Sequence, residues 1–212
     1  MLVEGFLSNG LGLPTLQREH AERRSVLVRS GESEAFIAIT FAAYNVGPCR
    51  NLDEDNRCLI YDRRPMVCRI YPMEINPHIP LNPAVKECPT ESWDNGPELI
   101  IGGELIDREL IELVQRSRQA DRDEIQTKEV ICGVLGIRTT ALKGDGFTAY
   151  LPDMTTFVSV VDQIDETPQA VTNTEWLFHV SGSDIAAQML EAGAQIATEA
   201  ALNYTFISLR AS

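Results

Sequence analysis

The sequence predicts an α+β protein that is rich in helix and contains an irregular region rich in proline and cysteine. Three observations support this class. Residues 104–126 repeat apolar side chains at helical spacing. Residues 35–44, AFIAITFAAY, are dominated by the β-branched, aromatic and small apolar residues of a buried strand. Seven prolines from Pro48 to Pro89 exclude a long helix from that stretch.

The elements of the first half follow from local signals. Residues 1–14 contain three glycines and a proline, which predict an irregular lead-in. Residues 15–29 predict a helix that ends at the polar run Ser30–Ser33, and the strand over 35–44 follows. Between Cys49 and Pro97 we expect a polar turn over residues 53–56 and one or two helical turns beginning at Pro65.

The second half contains more regular structure. After the helix over 104–126 comes a short apolar segment, 130–137. The turn residues at 143–146 predict a hairpin that joins strands over 139–142 and 147–151. The remaining elements are a helix over 155–164 capped by Asp153, an extended segment over 176–180 and a helix over 184–202 capped by Ser183. Glycines and a proline near residues 93–103 predict a boundary between a cysteine-rich region, 1–97, and a C-terminal region, 98–212, although the two can also form one compact domain.

Composition restricts the partners. The chain has 18 Lys and Arg against 31 Asp and Glu, a formal net charge of −13. A chain this acidic is repelled by phosphate backbones and anionic lipid, so we expect no binding to nucleic acid or membrane surfaces. We also expect no signal peptide and no spanning helix, and we place the acidic protein in the cytoplasm. A protein partner or a small-molecule substrate stays open, as does the oligomeric state.

Four of the five cysteines lie between residues 49 and 88, separated by 8, 9 and 19 residues: Cys49, Cys58, Cys68 and Cys88. Clustered thiols in a reducing compartment indicate metal ligands before disulfides. Four thiolates can hold a tetrahedral zinc or a [4Fe-4S] cluster. The wide spacing argues against the paired knuckles of an ordinary zinc finger and leaves an iron–sulfur cluster open. Five arginines are candidates to donate hydrogen bonds to its sulfur atoms: Arg50, Arg57, Arg63, Arg64 and Arg69.

His78 and Cys132 are weaker candidates for metal ligands than the four clustered cysteines. His78 lies between Cys68 and Cys88 and would replace one cysteine if that cysteine were not a ligand. Cys132 lies in the apolar run VICGVLGI, which predicts an inert core thiol. The alternative for the four clustered cysteines is that they are small buried side chains without a metal. No catalytic residue can be assigned, and whether the chain is an enzyme stays open.

The run CLIYDRRPMVCRIYP at residues 58–72 resembles the signature of the YkgJ-like zinc- or iron-chelating proteins, the CxxCxxCC family. Cys49 with Leu52 and Asp53 is similar to the element that precedes that signature, and Cys88–Pro89 is similar to the one that closes it. The same stretch is similar to the flagellin lysine N-methylases, which are associated with an iron–sulfur cluster. The family's leading cysteine cluster is absent, because residues 1–48 contain no cysteine.

Two functions are therefore expected. In the first, the four cysteines bind a [4Fe-4S] cluster, and the chain is a redox protein or a component of a modifying enzyme. In the second, they bind a structural zinc that folds the proline-rich region into a metal-binding loop, and the chain is an interaction module or accessory subunit.

Overall fold

A computed structural model describes residues 1–13, 15–42, 47–164, 175–197 and 203–210. The chain forms two compact units. Residues 1–43 and 122–212 form one, here called the sheet unit, and residues 44–121 form the other, the cysteine unit. The predicted boundary near residue 97 is not a limit of either unit.

Both helices and strands are present, which confirms a mixed class. The α-helices of the described residues are α1 (Arg18–Glu22), α2 (Met66–Ile70), α3 (Arg108–Asp123), α4 (Ile125–Val134), α5 (Met154–Gln163) and α6 (Ser183–Glu191). The strands there are β1 (Leu2–Leu7), β2 (Val26–Ser30), β3 (Ser33–Thr40), β4 (Ile100–Ile101), β5 (Glu104–Leu105), β6 (Thr139–Leu142), β7 (Gly146–Ala149), β8 (Leu177–His179) and β9 (Thr205–Ser208). None of the described helices is both long and apolar enough to cross a membrane.

Strand β1 lies at the centre of the sheet unit, so the predicted irregular lead-in over residues 1–14 is wrong for its first half. One edge of β1 pairs antiparallel with β3 along its whole length. A Cβ atom added to Gly5 would lie 2.7 Å from Ile37 Cδ1 and 3.2 Å from the Phe36 carbonyl oxygen. Gly5, which the local sequence suggests belongs to a loop, is therefore required by close packing within the sheet.

The other edge of β1 is shared by two strands. Strand β6 pairs parallel with Glu4–Gly5, while β7 pairs antiparallel with Leu2–Val3. The predicted strands over 139–142 and 147–151 are thus present, and a turn joins them. The predicted hairpin is nevertheless wrong, because in the described sheet β6 and β7 both pair with β1 and not with each other. Strand β7 ends at Ala149 and also pairs with β9.

The main sheet curls so that its first and last strands meet. Its order is β2-β3-β1-β6-β8, and Arg29 at the end of β2 forms a parallel bridge with Glu175, just before β8. The Trp176 N–H donates to the Arg29 carbonyl at 2.9 Å. The Glu175 carboxylate also accepts the Gly31 N–H at 2.8 Å. These bonds give otherwise open strand edges a partner within the chain.

The core of the sheet unit lies where β1, β3 and β8 meet helices α4 and α6. Phe178 and Met189 are completely buried, as are Val3 and Ile37. Cys132 on α4 is 1% exposed, which confirms the predicted core thiol. Desolvation by burial raises the pKa of this thiol to about 12, so it is protonated at neutral pH.

Two predicted helices are too long. Within 15–29 only α1 is α-helical, because Val26–Ser30 instead pairs with β3 as an edge of the sheet. The helix predicted over 184–202 ends at Glu191, where Gly193 has a φ of +82° and the Ala194 N–H donates to the Met189 carbonyl. Residues 198–202 of that prediction, and 43–44 of the strand over 35–44, lie outside the described residues.

Other local predictions are confirmed. The Asp153 carboxylate accepts the Thr156 N–H at the start of α5. Residues 108–123 of the predicted helix over 104–126 form α3, whereas Glu104–Leu105 pair with Ile100–Ile101. In the cysteine unit, α3 buries Leu113 and Val114 against Ile70 and Met73. These four residues are the buried apolar core of the described part of that unit.

Candidate metal centre

Cys49 and Cys58 lie at the two ends of one closed loop. Leu52 and Cys58 form an antiparallel bridge, and the Leu59 N–H donates to the Asn51 carbonyl at 2.8 Å. The Leu52 N–H in turn donates to the Cys49 carbonyl at 3.1 Å. Both cysteines are therefore held by the backbone of the same short segment.

The predicted polar turn closes this loop. One oxygen of the Asp53 carboxylate, Oδ1, accepts the N–H groups of Asp55 at 3.0 Å and Arg57 at 2.8 Å. Asn56 adopts a φ of +61°, a left-handed conformation that asparagine tolerates better than most residues. Asp53 thus orders the turn between two candidate ligands, a role that its similarity to the family signature does not explain.

Cys68 lies on α2, which begins after Pro65 as predicted. The Cys68 N–H donates to the Pro65 carbonyl at 3.0 Å. Ile70 on the same helix is 1% exposed and packs on α3, whereas Cys68 is exposed. The helix therefore uses its apolar side for the core and leaves the thiol accessible.

Tyr71 connects the segment before Cys88 to the end of α2. The Glu87 N–H donates to the Tyr71 hydroxyl oxygen at 2.8 Å. Lys86 Nζ lies 5.7 Å from the Tyr71 ring centroid and 2.5 Å from Glu74 Oε1. Since Tyr71 follows Cys68 by three residues, Cys68 and Cys88 are anchored to a common framework. In the sequence, the indication of this common framework is the tyrosine in the run CRIYP.

Replacing Tyr71 with phenylalanine should loosen this framework. The Glu87 N–H then loses its acceptor, and a hydrogen bond of this kind contributes about 1 kcal/mol. We expect the Glu87 amide to exchange with solvent about fivefold faster, as measured by NMR-detected hydrogen exchange. Tyr61→Phe is the matched control, because the Tyr61 interactions are a ring contact with Arg64 and a bond from the Arg64 Nε to its carbonyl. Equal exchange in the two variants would contradict the anchoring role.

The structure does not gather the four thiols into one coordination shell. All four are free; Cys49 and Cys68 are exposed, and Cys58 and Cys88 are half-buried. Across the described ranges, no three His, Cys, Asp or Glu side chains lie close enough together to hold a metal ion. The predicted four-thiolate shell, and the replacement of a ligand by His78, therefore stay predictions.

The donor set nevertheless fits the implied metals in its chemistry. None of the four thiols is in a disulfide, and soft sulfur donors select zinc and iron–sulfur clusters. The four residues that would hold the metal are Cys49, Cys58, Cys68 and Cys88. Two backbone frameworks position them. The closed loop over 49–58 holds Cys49 and Cys58, and the segments joined by the Tyr71–Glu87 hydrogen bond hold Cys68 and Cys88.

Three of the five candidate arginines are directed toward protein groups. Arg69 forms an ion pair with Glu109 at 2.9 Å, and Arg57 one with Asp55 at 3.9 Å. The Arg64 guanidinium carbon lies 3.6 Å from the Tyr61 ring centroid. Arg50 and Arg63 are exposed and make no ion pair with the described residues. These two are the better candidates to donate to a sulfur-ligated centre.

His78 lies in an exposed loop, as expected from the surrounding prolines. Its backbone N–H donates to the Asn76 side-chain oxygen at 2.9 Å. The residue lines a cavity of about 440 Å³, together with Glu74, Arg118 and apolar side chains of α3.

Clustered cysteines that form no disulfide indicate metal ligands. Residues 14–91 match the model of the CxxCxxCC family, described as "Putative zinc- or iron-chelating domain", so this part of the chain is similar to that family. The match supports the binding of zinc or iron by this part of the chain. No curated protein and no solved structure matches it, and a relationship to the flagellin lysine N-methylases is not shown.

The family match begins well before Cys49 and includes α1, β2 and β3. The sequence resemblance covers only residues 49–89, because the earlier residues contain none of the cysteines or prolines that make the signature visible. The matched segment thus includes part of the sheet unit as well as most of the cysteine unit.

Proposed function

We propose that Cys49, Cys58, Cys68 and Cys88 bind one metal centre, and that this centre is a [4Fe-4S] cluster. The observation that carries the proposal is the family match over a segment whose four cysteines are all free. Four thiolates complete the ligand set of such a cluster. The cluster would supply one-electron redox chemistry, and the chain would act as a redox protein or as a component of a modifying enzyme.

The proposal requires the two frameworks to approach each other when the metal binds. The loop closed by Asp53 presents Cys49 and Cys58, and the Tyr71–Glu87 bond holds the segment of Cys88 near the end of α2. Each thiol gives up its proton on binding, so metal affinity rises with pH in the range where the thiols still carry their protons. Arg50 and Arg63 then offset negative charge on the thiolate sulfur atoms.

The compartment and the partners belong to the same proposal. All five cysteines are free, which suits the reducing cytoplasm. A redox protein needs an electron donor or acceptor, and a modifying enzyme needs a substrate. We therefore propose that the chain acts on or with a second protein or a small molecule.

Anaerobic purification tests the proposal. We expect a brown protein with broad absorbance near about 400 nm that bleaches on reduction, and about four iron and four sulfide per chain. A colourless protein that carries one equivalent of zinc would contradict the cluster and support the second candidate below. A protein free of iron and zinc after growth with both metals would contradict the metal centre itself.

A structural zinc is the second candidate, and the small core of the cysteine unit favours it. The described part of this unit buries only Ile70, Met73, Leu113 and Val114. Units with so little buried apolar surface often depend on a metal for their stability. Zinc bound by four thiolates would contribute folding free energy directly, and the chain would serve as an interaction module or accessory subunit.

A further inference from the structure

The sheet unit contains a cavity that the proposed metal centre does not use. It has a volume of about 430 Å³, within the range of about 300–1,000 Å³ that is usual for small-molecule sites. Its walls come from the end of α4, from β7, from the start of α5 and from the start of β9. The apolar part of the lining includes Leu135, Ile137, Leu151 and Pro152.

Two tyrosine rings form one wall. The ring centroids of Tyr150 and Tyr204 lie 5.4 Å apart, with the ring planes tilted by 47°. The Tyr150 hydroxyl donates to the Thr139 carbonyl at 2.7 Å, and the Tyr204 hydroxyl lies 2.8 Å from His179 Nδ1. Because both hydroxyls are bonded to groups outside the cavity lining, the two rings are held in place. Tyr150 is 3% exposed and Tyr204 is half-buried, so Tyr204 offers the more accessible aromatic surface.

Among the described residues of the lining, the charged group is the Asp153 carboxylate. Its Oδ2 atom accepts the N–H and the hydroxyl of Thr156, each at 2.8 Å. The Thr156 N–H, followed by the Thr156 hydroxyl, lowers the pKa of this carboxyl, so it is ionised at neutral pH. The described lining contains no Lys, Arg or His. The N-terminus of α5 carries about half a positive charge, which the full negative charge of Asp153 exceeds.

We propose that this cavity binds a small organic cation, with an ammonium group near Asp153 and an apolar body along the tyrosine wall. Aromatic faces attract cations through their quadrupole, and the carboxylate adds a direct ionic contact. An anion of the same shape is repelled by Asp153 and finds no cationic partner in the described lining. A neutral molecule gains only the apolar contacts. The proposal is independent of the metal centre, because its residues all belong to the sheet unit.

Three probes of similar size test the charge preference on the full chain: 2-phenylethylamine, 2-phenylethanol and phenylacetate. We expect the amine to bind at least about fivefold more tightly than the alcohol, and phenylacetate to bind least. The measurement is an NMR titration that follows the backbone amides of residues 149–151 and 153–156. Equal binding of the three probes, or no binding of the amine, would overturn the proposal.

Two pairs of variants locate the contact. Asp153→Asn keeps a side chain that caps helices as well as aspartate does and removes only its charge, so the amine should bind about fivefold more weakly. Asp162→Asn removes one charge from an exposed position on the same helix, outside the cavity lining, and should leave binding unchanged. Tyr204→Leu should weaken binding about three- to tenfold, whereas Tyr204→Phe, which keeps the ring, should not. Unchanged binding in Asp153→Asn would refute the ionic contact.

Discussion

Replacing Cys68 with alanine should abolish the metal. A four-thiolate centre that loses one ligand has an incomplete shell, and the protein should retain less than about a tenth of its metal after purification. The same result is expected for Cys49, Cys58 and Cys88. The measurement is the iron and zinc content per chain, with far-ultraviolet circular dichroism to confirm that helices and strands persist. Full metal content in Cys68→Ala would show that the four-ligand assignment is wrong.

Cys132→Ala is the matched control for these variants. This cysteine is 1% exposed, and its thiol is kept protonated by burial, so it is neither accessible nor ionised for a metal. Its replacement should leave the metal content unchanged while lowering the free energy of unfolding by about 1–2 kcal/mol, because a small cavity forms in the core. Loss of metal from this variant would contradict the separation between core thiol and ligand thiols.

Replacing Phe178 with alanine should have the largest effect on stability. The side chain is completely buried in the core of the sheet unit, on the strand where the curled sheet meets its first strand. Phenylalanine-to-alanine changes at such sites cost about 3–5 kcal/mol, a large fraction of the stability of an ordinary domain. Urea unfolding measures the change in the free energy of unfolding.

Leu190→Ala provides the comparison for Phe178→Ala. Leu190 lies on α6 and is 59% exposed, so its truncation should change the free energy of unfolding by no more than about 0.5 kcal/mol. If Phe178→Ala cost as little as Leu190→Ala, the central position of β8 in the core would be refuted.

Signals that lie close together in sequence predict structure well in this chain. Pro65 marks the start of α2, Asp153 caps α5, and the apolar face of the predicted helix over 104–126 becomes the core contact of α3. Each of these rests on a residue and its neighbours within one or two turns. The family signature is likewise a local run of residues, and that run alone is enough to indicate the metal-binding class.

Features that depend on distant partners are missed. Glu4 and Gly5 interrupt the apolar run of β1, and only pairing with β3, more than thirty residues later, makes this segment a strand. The local sequence predicts that Val26–Ser30 is the end of a helix, and only its pairing with β3 makes it a strand. Tertiary pairing overrides local propensity at both places. The relative placement of the four thiols is beyond sequence reasoning for the same reason, since spacing along the chain does not determine distance in space.

The hydrogen bond between Tyr71 and Glu87 changes how the spacing of 19 residues between Cys68 and Cys88 should be interpreted. Because the bond closes the segment near both ends, the residues inside it form a loop whose length is largely uncoupled from the position of the two thiols. The entropy of loop closure grows slowly, by about 0.6 kcal/mol for each doubling of length. Relatives with a longer or shorter insertion here would therefore keep these two cysteines on the same framework, provided that they keep a hydroxyl at the position of Tyr71. The tyrosine, more than the cysteine spacing, is then the position by which such relatives should be aligned.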